Sequence, residues 1–251
     1  MMRLKDYQKR VIREVERFLE AVAKERAGGN AVHASLDAWG ALRLGRYHER
    51  RNGLDRDMPD ITIKVPTGGG KTVIATQVLG SIFRTLLKEA RNGAGLVLWV
   101  VPSSQIYRDT LRRLSDREDW YRIMLEHAVG RRVEMWEKTD IHRLTPGRLR
   151  EALNILIVQL ASTNRETREQ LKFFQDSGGN IVRHFPREDD PEAHRRLKEQ
   201  TPNLDMIEDD AEAGRCLVKT SVGNLVRLCQ PPVILDEGHK ATSRLARQTI
   251  E

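Results

Sequence analysis

The sequence has little of what would place it in several common classes. It contains two cysteines, Cys216 and Cys229, at a spacing that matches no zinc pattern. That is too few for a disulfide framework, and both read as small buried or half-buried apolar residues. The histidines include no close pair at metal-ligand spacing, which argues against a structural metal. Aromatic residues make up only 5% of the chain, which disfavours a surface built mainly on base stacking. No stretch reaches the roughly 18 consecutive apolar residues of a membrane helix. Met1-Met2-Arg3-Leu4-Lys5 carries no apolar signal core. The expectation is a cytoplasmic protein in a reducing setting, with no membrane partner. No internal repeat and no heptad pattern is visible.

What is present is charge, distributed over a chain long enough to bury a sizeable core. Lys and Arg number 43 against 36 Asp and Glu, for a net charge of +7 over 251 residues. Such a bias suits a polyanionic partner, and equally a basic protein that binds none. The length fits one large domain or two small ones.

The stretch with the most chemistry is Val65-Pro66-Thr67-Gly68-Gly69-Gly70-Lys71-Thr72. It follows an alternating apolar run, Ile61, Ile63 and Val65, that reads as a strand. It precedes a helical pattern through Val73, Ile74, Val78, Ile82, Phe83, Leu86 and Leu87. A strand, a glycine loop ending in Gly-Lys-Thr and a helix together suit a nucleotide phosphate site. Backbone N–H groups must curl inward onto an anion, which glycine permits without a Cβ clash. The helix start adds its dipole and its unpaired N–H groups. Lys71 would reach the β- and γ-phosphates, and the Thr72 hydroxyl would sit on Mg2+. The strict pattern asks for glycine where Val65 stands. An ordinary glycine-rich turn with an exposed lysine is the alternative.

Around this loop, the spacing predicts a helix over 6–27, with Val11, Val15, Phe18, Leu19 and Val22 on one face. Residues 30–59 are rich in arginine (Arg43, Arg46, Arg50, Arg51, Arg56), with Trp39, Tyr47 and His48 interleaved. They read either as a nucleic-acid-facing surface or as a solvated connector with a short helix. Leu96–Val101 is a continuous apolar run, as expected of a strand buried on both faces of a parallel sheet. A helix follows Pro102-Ser103-Ser104. Ser115 with Glu118 reads as a capping box opening the next helix. A strand is expected near 133–136, a brief helix from Thr145-Pro146, and a buried strand over 154–160. Ser162-Thr163-Asn164 would cap another helix. Residues 184–214 are polar and acidic and read as a surface excursion with partial helix. A helix near 218–228 precedes Pro232-Val233-Ile234-Leu235-Asp236-Glu237-Gly238-His239. Strands alternating with helices indicate an α/β fold with an open, mainly parallel sheet.

Val233–Leu235 would deliver Asp236 and Glu237 to the C-terminal edge of that sheet, where α/β proteins bind ligands. The strand pattern places the 66–72 loop at the same edge. Asp236 can hold Mg2+ and Glu237 can polarise the water that attacks a γ-phosphate. A solvated turn after a strand is the alternative for these four residues.

PTGGGKT followed by an apolar strand and DEGH resembles the first motor domain of superfamily 2 helicases and translocases. Tyr7-Gln8 ahead of a helix is similar to their adenine-reading element, VLWVVPSSQ to their motif Ia, and NILIVQLASTNR to the next strand and its DNA-facing loop. IKVPTGGGKT, IVQLASTN and VGNLVRLCQPPVILDEGHK resemble most the restriction subunit of type III restriction enzymes and their DEAD/DEAH-type relatives. The resemblance covers nearly the whole chain apart from 184–214.

It implies a RecA-like P-loop NTPase domain with helices on both faces of the sheet. Residues 1–59 would be an N-terminal helix, adenine-reading element and basic connector, and 60–251 the motor domain itself. Gln8 would bond adenine, or be an exposed residue at a helix start. Thr67, Gly68, Gly69 and Gly70 would wrap the β-phosphate, with Lys71 and Thr72 as above. Pro102, Ser103 and Gln105, with Ser162 and Thr163, would touch a nucleic-acid backbone, although a plain strand-to-helix cap explains them as well. His239 would couple the ATP site to the nucleic-acid face. The implied cofactors are ATP and Mg2+. The implied partners are duplex DNA, a second RecA-like domain in cis or in trans, and a methyltransferase (modification) subunit. Relatives carry that second domain with arginine fingers, so the chain is expected to be an N-terminal half or one subunit of a split enzyme. No nuclease motif is visible. Another superfamily 2 helicase acting on RNA or DNA, and a non-catalytic ATP- and nucleic-acid-binding module, are the competing functions.

Overall fold

Apolar spacing along the first helix sets the character of the N-terminal region. In the computed structural model, which describes residues 4–87, 95–159, 178–207 and 217–237, helix α1 (Asp6–Ala27) buries Ile12, Val15, Leu19 and Val22 along one stripe. Asp6 in its first turn and Lys24 and Arg26 in its last suit the helix dipole. Two compact units are present. One is Met1–Ala90 with Arg112–Val133; the other is Arg91–Leu111 with Glu134–Ile250.

In the first unit α1 packs against α2 (Ala34–Ala41) and α3 (Lys71–Thr85), and α3 packs in turn on α5 (Trp120–Val129). Gly80 is what lets α3 and α5 approach. A Cβ there would lie 2.5 Å from the Ala128 carbonyl oxygen. Arg84 ties the three helices, donating to the Ala128 carbonyl at 2.8 Å and to the Glu16 carboxylate at 2.9 Å. Buried Arg122 meets Glu126 at 3.0 Å and also donates to the carbonyls of Leu114 and Val133.

The connector aromatics belong to this core and not to a stacking surface. Trp39 meets Phe18 edge-on at 5.2 Å, and Tyr47 packs against both rings. Burial pushes the Tyr47 phenol above its ordinary value. Arg50 and Arg51 pair with Asp60, Glu49 and Asp55.

Two local expectations are corrected here. Ile61, Ile63 and Val65 alternate as predicted, half-buried against Ile12, Val15 and Ile74, but they form no strand. Packing on α1 and α3 satisfies their side chains without a ladder. Helix α5 is capped by Asp119, whose carboxylate accepts the Tyr121 N–H at 2.8 Å, and not by Ser115. Ser115 ends α4 (Ser104–Ser115). A carboxyl side chain next to the helix start outcompetes a box four residues upstream.

The second unit carries a four-stranded sheet in the order β2-β3-β1-β4. Its strands are β1 (Leu96–Val101), β2 (Val133–Trp136), β3 (Leu153–Gln159) and β4 (Val233–Leu235). β1 runs parallel to β3, from Leu96↔Asn154 to Val101↔Gln159, and parallel to β4, from Leu98↔Val233 to Val100↔Leu235. β1 is buried throughout, as a doubly covered parallel strand requires. β4, expected to be buried, is half-buried along its length. Thr145 caps α6 (Pro146–Glu151), and Ser221 caps α8 (Val222–Cys229). Asn154 is a buried polar junction. It donates to the Arg148 and Ala152 carbonyls and accepts the Trp136 indole N–H.

The described part of 184–214 is more than a surface excursion. Its helix α7 (Pro191–Gln200) exposes charge, but Phe185 and Leu204 lie in the core beneath the sheet. His194 is 2% exposed. Its Nδ1 accepts the Val218 N–H at 3.0 Å, and its Nε2 donates to the Arg187 carbonyl at 3.1 Å. A polar composition hid these few anchors.

Two stability measurements test this packing. Gly80→Ala should lower unfolding free energy by about 1–3 kcal/mol in urea titrations, because the α3–α5 contact must open. Acidification should act through His184, whose imidazole burial holds below its ordinary value, with the Leu144 carbonyl opposing. The unfolded chain then takes up this proton first, so stability falls once pH drops below about 6.5. In His184→Gln the urea midpoint should fall less between pH 7 and pH 5.5 than in the wild type.

Candidate nucleotide site and sheet edge

Glycine is required in the 66–70 loop for two separate reasons. Gly68 and Gly70 adopt left-handed φ values of 75° and 79°, which side chains disfavour. Gly69 has no room. A Cβ there would lie 2.5 Å from Val65 Cγ1 and 2.9 Å from the Pro66 carbonyl oxygen. The turn closes with the Gly69 N–H on the Pro66 carbonyl at 2.9 Å. Gly70 is the N-cap of α3, whose ladder begins with Ile74 N–H on the Gly70 carbonyl at 3.1 Å. The amides of Thr72 and Val73 therefore precede the ladder. Lys71 and Thr72 stand half-buried on this first turn. Left-handed glycines, amides ahead of the ladder, a lysine and a hydroxyl form a donor set that fits a polyphosphate.

Two side chains from the start of α1 reach this loop. Gln8 donates from Nε2 to the Gly69 carbonyl at 3.0 Å, while its Oε1 accepts the Lys5 N–H at 2.9 Å. The Tyr7 hydroxyl donates to the same Gly69 carbonyl. Gln8 is only 6% exposed, so the alternative of an exposed residue at a helix start is overturned. Tyr7 was read from the sequence only as the neighbour of Gln8 in the same motif, with no contact of its own to the loop.

A second set lies on the C-terminal edge of the parallel sheet. The Asp236 N–H reaches the Val100 carbonyl at 2.9 Å, extending the β4–β1 pairing by one residue. Glu237 follows with φ 52°, a left-handed conformation. A non-glycine residue held there costs on the order of 1–3 kcal/mol, and such residues cluster at functional sites. Pro102 and Ser103 leave the adjacent end of β1. Ser103 Oγ accepts the Ile106 N–H at 3.4 Å, the strand-to-helix cap foreseen as the alternative role. Ser104 Oγ donates to Gln159 Oε1 at 3.0 Å, joining the ends of β1 and β3, and Gln105 is exposed. Ser104 and Gln159 were not singled out in the sequence, where Gln159 is simply the last polar position of an apolar run. The sheet therefore gathers Pro102, Ser103, Gln105, Asp236 and Glu237 at one edge. The strand at 61–65 expected to carry the 66–72 loop to that edge does not form. The loop belongs to the first unit and the acids to the second.

Ser162, Thr163, Gly238 and His239 lie outside the described residues. Among the described residues no cluster of three or more His, Cys, Asp or Glu could hold a metal ion. Of the two residues expected to meet Mg2+, Thr72 belongs to the first unit and Asp236 to the second; each carries an oxygen donor of the kind Mg2+ takes. Burial pushes the Cys229 thiol up to about 12, which removes it as a nucleophile.

The glycine loop opening α3 and the parallel α/β sheet are those of a RecA-like P-loop NTPase domain. Residues 1–204 match the family of the type III restriction enzyme res subunit, and the chain belongs to that family. This makes it an ATP-binding, helicase-like motor domain, of a family that uses ATP with Mg2+ and works on nucleic acid. The match includes the phosphate loop, β1 and β3 and ends ahead of Asp236. No curated protein and no solved structure matches the chain. No described helix is long and apolar enough to cross a membrane.

If Ser103 acts as a cap, Ser103→Ala should cost about 0.5–1 kcal/mol in chemical denaturation, and Ser103→Asp should retain wild-type stability. Equal losses in both variants would remove the capping role.

Proposed function

We propose that the chain is the ATP-binding motor domain of a DNA translocase or helicase that couples Mg-ATP hydrolysis to movement along duplex DNA, as in type III restriction subunits. The observation that carries this reading is the 66–72 loop, with left-handed Gly68 and Gly70 turning the chain into Lys71 and Thr72 at the start of α3. Thr67 to Gly70 wrap the β-phosphate and Lys71 reaches the β- and γ-phosphates. The Thr72 hydroxyl and the Asp236 carboxylate would each offer Mg2+ an oxygen, and Gln8 would bond the adenine. Bound Mg2+ would neutralise charge developing on the phosphates. Glu237 polarises the attacking water, and the backbone around it is already held in an uncommon conformation. Pro102, Ser103 and Gln105 contact the nucleic-acid backbone together with Ser162 and Thr163, and His239 links that contact to the nucleotide. Backbone contacts of this kind give binding that tolerates sequence and weakens with salt.

A second RecA-like domain supplies the arginine fingers, worth about 10³–10⁵ in rate in comparable enzymes. A modification subunit is the natural companion of such a motor. Residues 1–59 serve as the nucleotide-facing N-terminal segment of a motor domain covering 60–251. Without those groups turnover is slow.

Two substitutions test the assignment. Lys71→Ala should weaken ATP binding by about 10–100-fold, the worth of a charge-assisted bond. Glu237→Gln, made together with the second motor domain, should retain ATP binding while turnover falls by about 10²–10⁴-fold. Unchanged turnover in that variant would point instead to a non-catalytic ATP- and nucleic-acid-binding module.

A further inference from the structure

The Gly69 carbonyl receives two side-chain donors from adjacent residues of α1, the Tyr7 hydroxyl and the Gln8 amide. The peptide that follows it is trans, since no cis bond is present. In a trans peptide the carbonyl of one residue and the N–H of the next point in opposite directions. Holding the Gly69 carbonyl toward α1 therefore turns the Gly70 N–H away from α1. The glycines leave this peptide free to rotate unless something holds it, because Gly70 has access to both halves of φ space. The clamp is tight. A Cβ on Gly70 would come within 2.6 Å of Gln8 Nε2, and one on Gly69 within 3.2 Å of the Tyr7 oxygen. The Tyr7 ring is anchored against the α1–α3 apolar cluster.

We infer that Tyr7 is a positioning residue of the phosphate loop: its hydroxyl fixes the Gly69–Gly70 peptide so that the Gly70 N–H faces the bound polyphosphate. The inference rests on the reading of the loop as a nucleotide site. Gln8 shares the clamp, but its amide is also the group assigned to adenine. When that amide turns to a base, the Tyr7 hydroxyl remains on the Gly69 carbonyl and holds the peptide alone. Tyr7 thus acts on the phosphates and is indifferent to the base, whereas Gln8 acts on both.

The test measures equilibrium binding of Mg-ATP, Mg-GTP and inorganic tripolyphosphate to the full chain. Wild type, Tyr7→Phe, Gln8→Ala and Lys71→Ala are compared, with thermal melting followed in parallel. Tyr7→Phe should weaken all three ligands alike, by about 5–10-fold, the worth of one hydrogen bond. Gln8→Ala should also lose the preference for ATP over GTP. Tyr7→His, which restores a donor, should recover part of the tripolyphosphate affinity, a rescue that a loss of fold would not allow. If wild type binds tripolyphosphate, Lys71→Ala does not, and Tyr7→Phe equals wild type, the positioning role is overturned while the nucleotide site stands. If Tyr7→Phe loses ATP but keeps tripolyphosphate, Tyr7 acts on the base and the proposal is overturned. If wild type binds none of the three, the nucleotide site itself is overturned and the clamp with it.

Discussion

The direction of one peptide, Gly69–Gly70, constrains what the first unit can do with an anion. The loop around it is made of residues that can rotate, and only neighbouring groups give it one shape. Val65 and Pro66 close it from the preceding segment, where Gly69 has no room for a side chain. Tyr7 and Gln8 close it from α1. Those contacts exist because α1 is docked on α3 through Ile12, Val15, Ile74 and Val78. The amphipathic first helix is thus a structural partner of the phosphate loop and more than a segment that precedes it. Any change that loosens α1 from α3 alters the loop before it alters a ligand contact.

The second unit solves a different problem, bringing distant segments to one edge. Three parallel strands end together, with Val101 opposite Gln159 and Val100 opposite Leu235. Residues far apart in the chain, such as Val100 and Leu235, then share a border through backbone pairing alone. Ser104 bonded to Gln159, and the Asp236 N–H bonded to Val100, show that the pairing continues into the loops. Acids placed just past the last paired residue are fixed in direction by the strand and still reach solvent.

Much of this was legible in the sequence, for physical reasons that differ by element. The α1 stripe and the runs at 96–101 and 154–160 were readable because burial dictates apolar period and length. Gly68 to Lys71 were readable because left-handed backbone leaves few residue choices. What escaped depends on tertiary partners. The alternation at 61–65 marks one buried side, and packing against helices satisfies it as well as a sheet does. Asp119 took the cap of α5 from Ser115 because a nearer carboxylate was available. Trp39 and Tyr47, interleaved with arginines, read as part of a nucleic-acid-facing surface or a solvated connector, but Phe18 supplies an apolar partner. Phe185, His194 and Leu204 were masked by acidic neighbours. Of the candidate site, the motif positions were legible, and the hydrogen bonds between them were not. Nothing in the order Tyr-Gln says that both side chains meet one carbonyl.

The central claim is that the start of α1 and the 66–72 loop act as one nucleotide-binding unit. Hydrogen–deuterium exchange of the full chain with and without Mg-ATP tests it most directly. Slower exchange on nucleotide addition in both 5–9 and 68–74 is the result this account predicts. Slowing in 68–74 with no change in 5–9, or no change in either segment, would contradict it.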